Sequence, residues 1–102
     1  MPKISRDKID RARTGHGCHK TIGCKASQRS VFANGRKILR PGDRLLPHKI
    51  PKGKPVPKCV NHPAKINRGS RTVFIGGRPV ARKGDSADKG KMINGSPNVF
   101  AG

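Results

Sequence analysis

The sequence contains no tryptophan, no tyrosine and no glutamate, and its only aromatic residues are three phenylalanines. Hydrophobic residues make up 31% of the 102 positions, so the chain can bury only a thin core. A metal ion, crosslinks or a partner surface is expected to add stability. No apolar run approaches the roughly 18 residues that a membrane helix needs. The polar N-terminus lacks the apolar h-region of a secretory signal. We expect one small domain without a transmembrane segment or signal peptide.

Acidic residues are also scarce, since five aspartates face 24 lysines and arginines for a formal net charge of +19. Such an excess favours acidic partners and predicts salt-dependent association with nucleic acid or anionic surfaces. The charges are spread over the whole chain and are not gathered on one helix face. A solvated basic surface without a specific partner accounts for any single lysine equally well.

Three cysteines exclude a complete intrachain disulfide framework, and in a reducing cytoplasm thiols are better placed to ligate metal. All cysteines and histidines lie between His16 and His62. Tetrahedral zinc takes thiolate and imidazole ligands, and the C-x2-H spacing of Cys59 and His62 suits one ion. A closed structural site would supply missing stability. Cys18 and Cys24 could instead form a second metal site or, after oxidation, a disulfide.

Glycine and proline punctuate the chain from Thr14 onward, which leaves no window for a helix of ten residues and predicts short strands. The pairs Asn34-Gly35 and Gly76-Gly77 suit two-residue hairpin turns, in which both central residues need positive φ. Residues 1–13 are polar and basic and are interpreted as an arm or a short helix. The predicted strands cover residues 30–33, 36–39, 65–67, 72–75, 78–81, 91–93 and 98–101.

The segment 47–63 carries five prolines among its lysines. Because proline has no amide hydrogen to donate to a ladder, we interpret this segment as an extended loop inserted after the first hairpin.

The dipeptide Val-Phe occurs three times, which indicates repeated structural units that stack on one another. The first two copies continue into matching hairpins, and each hairpin is followed by Gly-Asp. The third copy stops soon after its Val-Phe pair. We therefore predict two full repeats and a truncated third. Aspartate after glycine typically accepts backbone hydrogen bonds in a turn, so Asp43 and Asp85 are expected to be structural and not catalytic. The three copies are Val31-Phe32, Val73-Phe74 and Val99-Phe100.

The ordered series of motifs resembles PAAR-repeat proteins. It comprises Thr14-Gly15-His16-Gly17-Cys18, the two hairpins closing in Arg-x-Gly-Asp, Pro47-His48, and the final run from Gly95 to Gly102. The resemblance covers residues 14–102, the predicted PAAR domain, and leaves 1–13 as a basic N-terminal arm. It implies a mainly β, small conical fold of short hairpins with pseudo-three-fold symmetry and one structural zinc ion at its apex.

PAAR proteins sit on the blunt tip of a trimeric β-helical spike in phage tails and type VI secretion systems. The resemblance implies a non-enzymatic, membrane-piercing tip, one copy per spike trimer, made in the bacterial cytoplasm and delivered into the target cell envelope. Because the sequence ends with the last repeat, we expect no fused cargo, which favours a phage tail baseplate in the virion over a type VI spike. The three phenylalanines are expected at equivalent places, in a small internal core or against the spike end. The predicted partner-binding residues are Phe32, Phe74, Phe100, Ser70 and Ser96.

The resemblance also implies a zinc ion that is held by three histidines and one cysteine. By position in the sequence, the three histidines are His16, His48 and His62. Many members carry the cysteine where this chain has Lys89, which is a poor zinc ligand.

Cys59 is the fourth ligand we predict, because it precedes His62 by three positions in the loop beside His48. Cys18, close to His16, and Asp88, next to Lys89, are the alternatives.

Two other functions differ in class from the spike tip. A basic, zinc-stabilised nucleic-acid-binding protein fits the charge, but the chain lacks interleaved aromatic residues for stacking bases and a basic helix for a groove, so no specific nucleic acid is expected. An enzyme is disfavoured because no acid, base and nucleophile converge, even around Cys18 or Cys59.

Overall fold

The computed structural model describes residues 2–15, 21–46 and 64–102, together with the backbone of 48–52 and 58–62. Every regular element in these residues is a strand, which confirms the mainly β prediction. No helix that could cross a membrane occurs in these stretches. The strands are β1 (Arg11–Arg13), β2 (Thr21–Lys25), β3 (Phe32–Ala33), β4 (Arg36–Lys37), β5 (Arg44–Leu45), β6 (His48–Lys52), β7 (Lys58–His62), β8 (Phe74–Ile75), β9 (Arg78–Pro79), β10 (Ser86–Ala87) and β11 (Gly90–Met92).

The strands form one antiparallel five-stranded sheet in the order β10-β11-β1-β2-β5 and three two-stranded hairpins, β3-β4, β6-β7 and β8-β9. Both predicted turns are confirmed, since φ is +54° and +76° at Asn34 and Gly35 and +57° and +81° at Gly76 and Gly77. Positive φ at both central residues gives the backbone twist that matches two paired strands.

A third repeat hairpin, equivalent to β3-β4 and β8-β9, is built from the two ends of the described chain. Lys3 bridges Phe100 just as Lys37 pairs with Phe32, and the Ala101 amide donates to the Pro2 carbonyl at 3.0 Å. The prediction of a truncated third repeat is therefore wrong, because residues 2–5 supply its second strand.

The N-terminal residues are accordingly part of the body and do not form the arm or short helix predicted for 1–13. Ile4 and Ser5 are buried, and β1 lies in the middle of the five-stranded sheet. A sequence signal for this existed, because Lys3-Ile4-Ser5-Arg6 repeats the pattern of Lys37-Ile38-Leu39-Arg40.

Three backbone hydrogen bonds close a ring around an axis between the units. The Ser5 amide donates to Ala81 at 2.9 Å, the Ala81 amide to Leu39 at 2.8 Å, and the Leu39 amide to Ser5 at 3.0 Å. Each unit therefore donates to one neighbour and accepts from the other, and all three side chains are fully buried. This cyclic pattern confirms the predicted pseudo-three-fold symmetry.

The core follows the same symmetry and is as thin as the composition predicts. One cluster joins Ile4, Ile38 and Val80, which occupy equivalent positions next to the ring, with Ala33 and Ala101. A larger cluster includes Cys24, Leu39, Ile66 and Met92. No phenylalanine is buried, so the aromatic residues lie outside both clusters.

The proline-rich segment contains paired strands, so its prediction as a loop without a ladder is wrong. Strands β6 and β7 pair in antiparallel register from His48 opposite His62 to Lys52 opposite Lys58. Only Pro51 among the five prolines falls within the strand bounds. A two-stranded ribbon leaves one side of each strand unpaired, where the missing amide of a proline costs no ladder bond.

Candidate functional site

All three phenylalanines are exposed to solvent at equivalent places, one on each hairpin. Their exposed fractions are 52% for Phe32, 55% for Phe74 and 43% for Phe100, and Val31 and Val73 beside them are also exposed. A chain with so little apolar material would normally bury its largest side chains. Exposed apolar groups in such an arrangement mark an interaction surface. We call the three phenylalanines, together with Val31 and Val73, the Val-Phe face.

Two buried serines hold the strands of the Val-Phe face. The Ser70 hydroxyl accepts hydrogen bonds from the amides of Thr72 and Val73 at 3.1 and 3.0 Å. The Ser96 hydroxyl accepts equivalent bonds from Asn98 and Val99 at 3.2 and 3.0 Å. These contacts fix the chain just before each Val-Phe pair.

Ser70 and Ser96 therefore support the face without forming its surface. The side chain of each serine is buried, and each hydroxyl also donates a hydrogen bond, Ser70 to the Gly102 carbonyl and Ser96 to the Asn34 Oδ1. Any effect of these predicted partner-binding residues on a partner must pass through the hairpins that they position.

The first unit uses Gln28 where the others use serine, a role that the sequence analysis missed. Its Oε1 accepts from the amides of Ser30 and Val31 at 3.0 and 2.9 Å. Its Nε2 donates to the carbonyls of Val31 and Ile38 at 2.6 and 3.1 Å. The first repeat has one extra residue before Val31, and this difference in the sequence indicates that the hydrogen bonding there differs from that in the other two units.

Buried aspartates close the turn that follows each unit. Asp43 Oδ2 accepts from the Arg40 amide at 2.8 Å, and Asp85 Oδ2 accepts from the Arg82 amide at 2.7 Å. The structural prediction for the Gly-Asp turns is therefore confirmed, since both carboxylates are occupied by backbone.

The N-terminal unit repeats this turn in a form that the sequence analysis did not identify. Asp10 Oδ2 accepts from the Arg6 amide at 2.8 Å and from the Arg6 Nε at 2.7 Å. The side-chain hydrogen bond that Arg6 donates to Asp10, more than the charge of that carboxylate alone, raises the pKa of Arg6. Because Asp7 also accepts from the Ala26 amide at 2.6 Å, these aspartates are committed to internal contacts and leave the basic surface largely unopposed.

The predicted metal ligands lie partly on the β6-β7 ribbon. His48 is paired with His62 in the backbone register at one end of the ribbon, and Cys59 lies three positions before His62, opposite Pro51. His16 and Cys18 lie outside the described residues. Where side chains are described, no group of three or more histidines, cysteines or aspartates could hold a metal ion.

Lys89 contacts the segment that leads into His16. The Lys89 amide donates to the Thr14 carbonyl at 3.3 Å, and a Cβ on Gly15, whose φ is +80°, would lie 3.0 Å from the Lys89 Cβ. Lys89, where the resemblance leads us to expect a cysteine, thus lies beside Thr14 and Gly15, just before the predicted ligand His16.

Cys24 is a core residue, and among the described residues it belongs to no group of three or more potential metal ligands. It is a free, fully buried cysteine whose Sγ lies 3.9 Å from the Met92 Sδ. Burial, with a smaller contribution from Asp43, raises the pKa of this thiol to about 12. A protonated, enclosed thiol is a poor nucleophile and a poor metal ligand.

Comparison with known proteins places these features in a family. The PAAR-motif family model matches residues 22–90 and 57–102, which together span most of the chain. No curated protein shows significant similarity to the sequence. Members of the matched family are structural spike-tip proteins of contractile injection systems that associate with a spike protein and generally bind metal. The family match and the three-fold hairpin arrangement agree, and the chain belongs to the PAAR-motif family.

Proposed function

We propose that this protein is a non-enzymatic, membrane-piercing tip that caps a trimeric β-helical spike, with one copy on each trimer. The observation that carries the proposal is the Val-Phe face, where one chain presents three equivalent exposed phenylalanines around a pseudo-three-fold axis. A trimer end offers three equivalent surfaces, so a single chain can match all three only if it repeats its contacts.

Burial against the spike also compensates for the thin core. Fully burying a phenylalanine side chain contributes about 1.5–3 kcal/mol, and all three are about half exposed in the free protein. Short unpaired strand edges on the three hairpins offer main-chain partners for spike strands by strand addition.

Co-purification with the spike protein tests the capping role. Replacing Phe32, Phe74 and Phe100 together by serine should abolish the complex, because the main apolar contacts of the face are removed. The matched control is Ile9→Ser, since Ile9 is 48% exposed and lies outside the Val-Phe face. Retention of the complex by the triple variant would contradict the proposal.

The same proposal assigns one structural zinc ion to His16, His48, Cys59 and His62. The register pairing of His48 with His62 supports the assignment, because it places two histidines, a residue type that zinc prefers, opposite each other on adjacent strands. Bound zinc would supply no chemistry beyond crosslinking these segments. Such a crosslink would resist local unfolding of the tip under load.

The proposed setting is a phage tail baseplate whose tip enters the target cell envelope. The charge of +19 suits contact with anionic envelope phosphates. Detection of the protein in purified virions by mass spectrometry is the expected result. Detection only among proteins released by a type VI system would assign it to that machine.

Nucleic-acid binding is the second candidate, favoured only by the charge. A filter-binding assay at about 150 mM salt, where non-specific phosphate contacts are weakened, separates the two. Tight, saturable binding of RNA or DNA would favour this candidate, and its absence together with spike co-purification favours the tip.

A further inference from the structure

Three cations stand side by side on neighbouring strands, away from the Val-Phe face. Lys25 of β2 pairs with Arg44 of β5, and Arg44 in turn bridges Lys65. All three are exposed, whereas Leu45 next to Arg44 and Cys24 next to Lys25 are buried. Side chains alternate between the faces of a strand, so the three cations share the outward face. We call them the cation row.

The row carries an electrostatic cost within the free protein. Neighbouring strands are about 4.8 Å apart, so the backbone positions of the three cations lie within roughly 10 Å. Like charges at directly opposite positions are destabilising. The ion pairs found in the described part of the chain, Arg6 with Asp10 and Arg82 with Asp85, involve none of them. Asp43, adjacent to Arg44, is buried and accepts from Arg40 and Ser27.

A cleft opens beside the row. It has a volume of about 370 Å³ and is lined by Gly42, Arg44, Ala64 and Lys65. This volume is at the small end of the range of ligand sites, about 300–1,000 Å³. Two exposed cations at the mouth of a small cleft favour a compact anion over a large apolar ligand.

We propose that the cation row and its cleft bind a compound carrying two or more phosphate groups. The Arg44 guanidinium can donate two parallel hydrogen bonds to one phosphate, while Lys25 and Lys65 act as point charges for a second group on either side. One phosphate cannot neutralise a row of this length, but two linked phosphates can. The site uses no residue of the Val-Phe face or of the predicted zinc set, so it stands independently of spike capping.

Isothermal titration of the full chain with inorganic pyrophosphate tests the site. In the double variant Arg44→Gln/Lys65→Gln, affinity should fall at least about tenfold, because the variant loses two charged donors whose hydrogen bonds to phosphate are charge-assisted. The control is Arg13→Gln/Lys91→Gln, which removes the same charge from another exposed cross-strand cation pair that does not line this cleft. The control should lose less than about threefold.

Vesicles identify the source of the phosphate. Binding to vesicles containing cardiolipin, whose headgroup links two phosphates, but not to phosphatidylcholine vesicles, with the same selective loss in the Arg44/Lys65 variant would assign the site to lipid headgroups. Selective loss confined to pyrophosphate would assign it to a soluble ligand. Equal losses in the two double variants, or no binding of either probe by the unmodified chain, would overturn the proposal.

Discussion

The side-chain amide of Gln28 donates a hydrogen bond to the carbonyl of Ile38 at 3.1 Å, in the place where the other two units use a backbone amide. The Ser70 amide donates to the Val80 carbonyl at 2.8 Å, and the Ser96 amide to the Ile4 carbonyl at 2.7 Å. One glutamine side chain thus reproduces both the backbone donor and the hydroxyl acceptor of a serine. This substitution lets the first unit absorb an extra residue without losing the symmetric bonding pattern.

Replacing Gln28 by alanine should destabilise the protein by about 2–3 kcal/mol, because backbone groups near a buried position lose their partners. Urea unfolding followed by circular dichroism measures the loss. Ser30→Ala is the control, since Ser30 is exposed and only its backbone amide is bonded to Gln28. A loss for Gln28→Ala of less than about 0.5 kcal/mol, the usual range for surface changes, would show that the cap is dispensable.

The split third hairpin predicts that the chain can be circularly permuted. Joining Gly102 to Pro2 through one glycine in place of Met1 gives a two-residue turn in the register of Asn34-Gly35, since Phe100 already bridges Lys3. New ends between Gly76 and Gly77 would open the second hairpin instead. Because every strand pair is kept, we expect the permutant to fold with a free energy of unfolding within about 1 kcal/mol of the parent.

The matched control joins Gly102 directly to Pro2 without the added glycine. The connection is then too short for a two-residue turn and should strain the Phe100–Lys3 pairing. Equal stability of the two permutants would mean that the ends do not form a hairpin in the assumed register.

Local signals in the sequence predicted the parts of the fold that depend on local geometry. Asn34-Gly35 and Gly76-Gly77 predicted the two continuous hairpins, because positive φ at both turn residues is a property of the dipeptide itself. The hairpin formed by Lys3 and Phe100 was not predicted because its two strands come from opposite ends of the chain. No turn connects them, so no turn dipeptide in the sequence indicates their pairing. Pairing of Lys3 with Phe100 is a tertiary contact that propensity does not encode.

Composition likewise predicted part of the candidate site. The scarcity of apolar residues made the three phenylalanines conspicuous, but only the structure shows that they are exposed. The ribbon that carries His48 and His62 was missed, because five prolines argue against a sheet interior and say little about a two-stranded ribbon.

The buried Cys24 thiol predicts a loss of stability at alkaline pH. Its folded pKa of about 12 lies above the ordinary value of 9.0, so between these values the thiol is neutral when folded and ionised when unfolded. This contribution to stability is fully present below the ordinary pKa and is lost as pH rises towards the folded one. The stability advantage of the parent over Cys24→Ala should therefore shrink by about 1 kcal/mol from about pH 8 to about pH 10.

Urea unfolding of both proteins at the two pH values provides the measurement. Cys18, Cys59 and the lysines occur in both chains, so their titration cancels in the comparison. A gap that stays constant with pH would show that the Cys24 thiol is accessible to solvent or ionised in the folded protein.

Zinc content discriminates among the possible fourth ligands. Native mass spectrometry should find one zinc ion in the parent, none in His62→Ala, and strongly reduced occupancy in Cys59→Ser, because a serine hydroxyl is a much weaker zinc ligand than a thiolate. Cys18→Ser is the matched control and should retain its zinc, as should Asp88→Asn.

Since zinc binding free energy adds to folding free energy, a chelator should lower the melting temperature of the parent and of Cys18→Ser but leave that of His62→Ala unchanged. Full occupancy in Cys59→Ser together with loss in Cys18→Ser would move the fourth ligand to the segment that begins beside Lys89, where the Thr14 carbonyl already accepts the Lys89 amide.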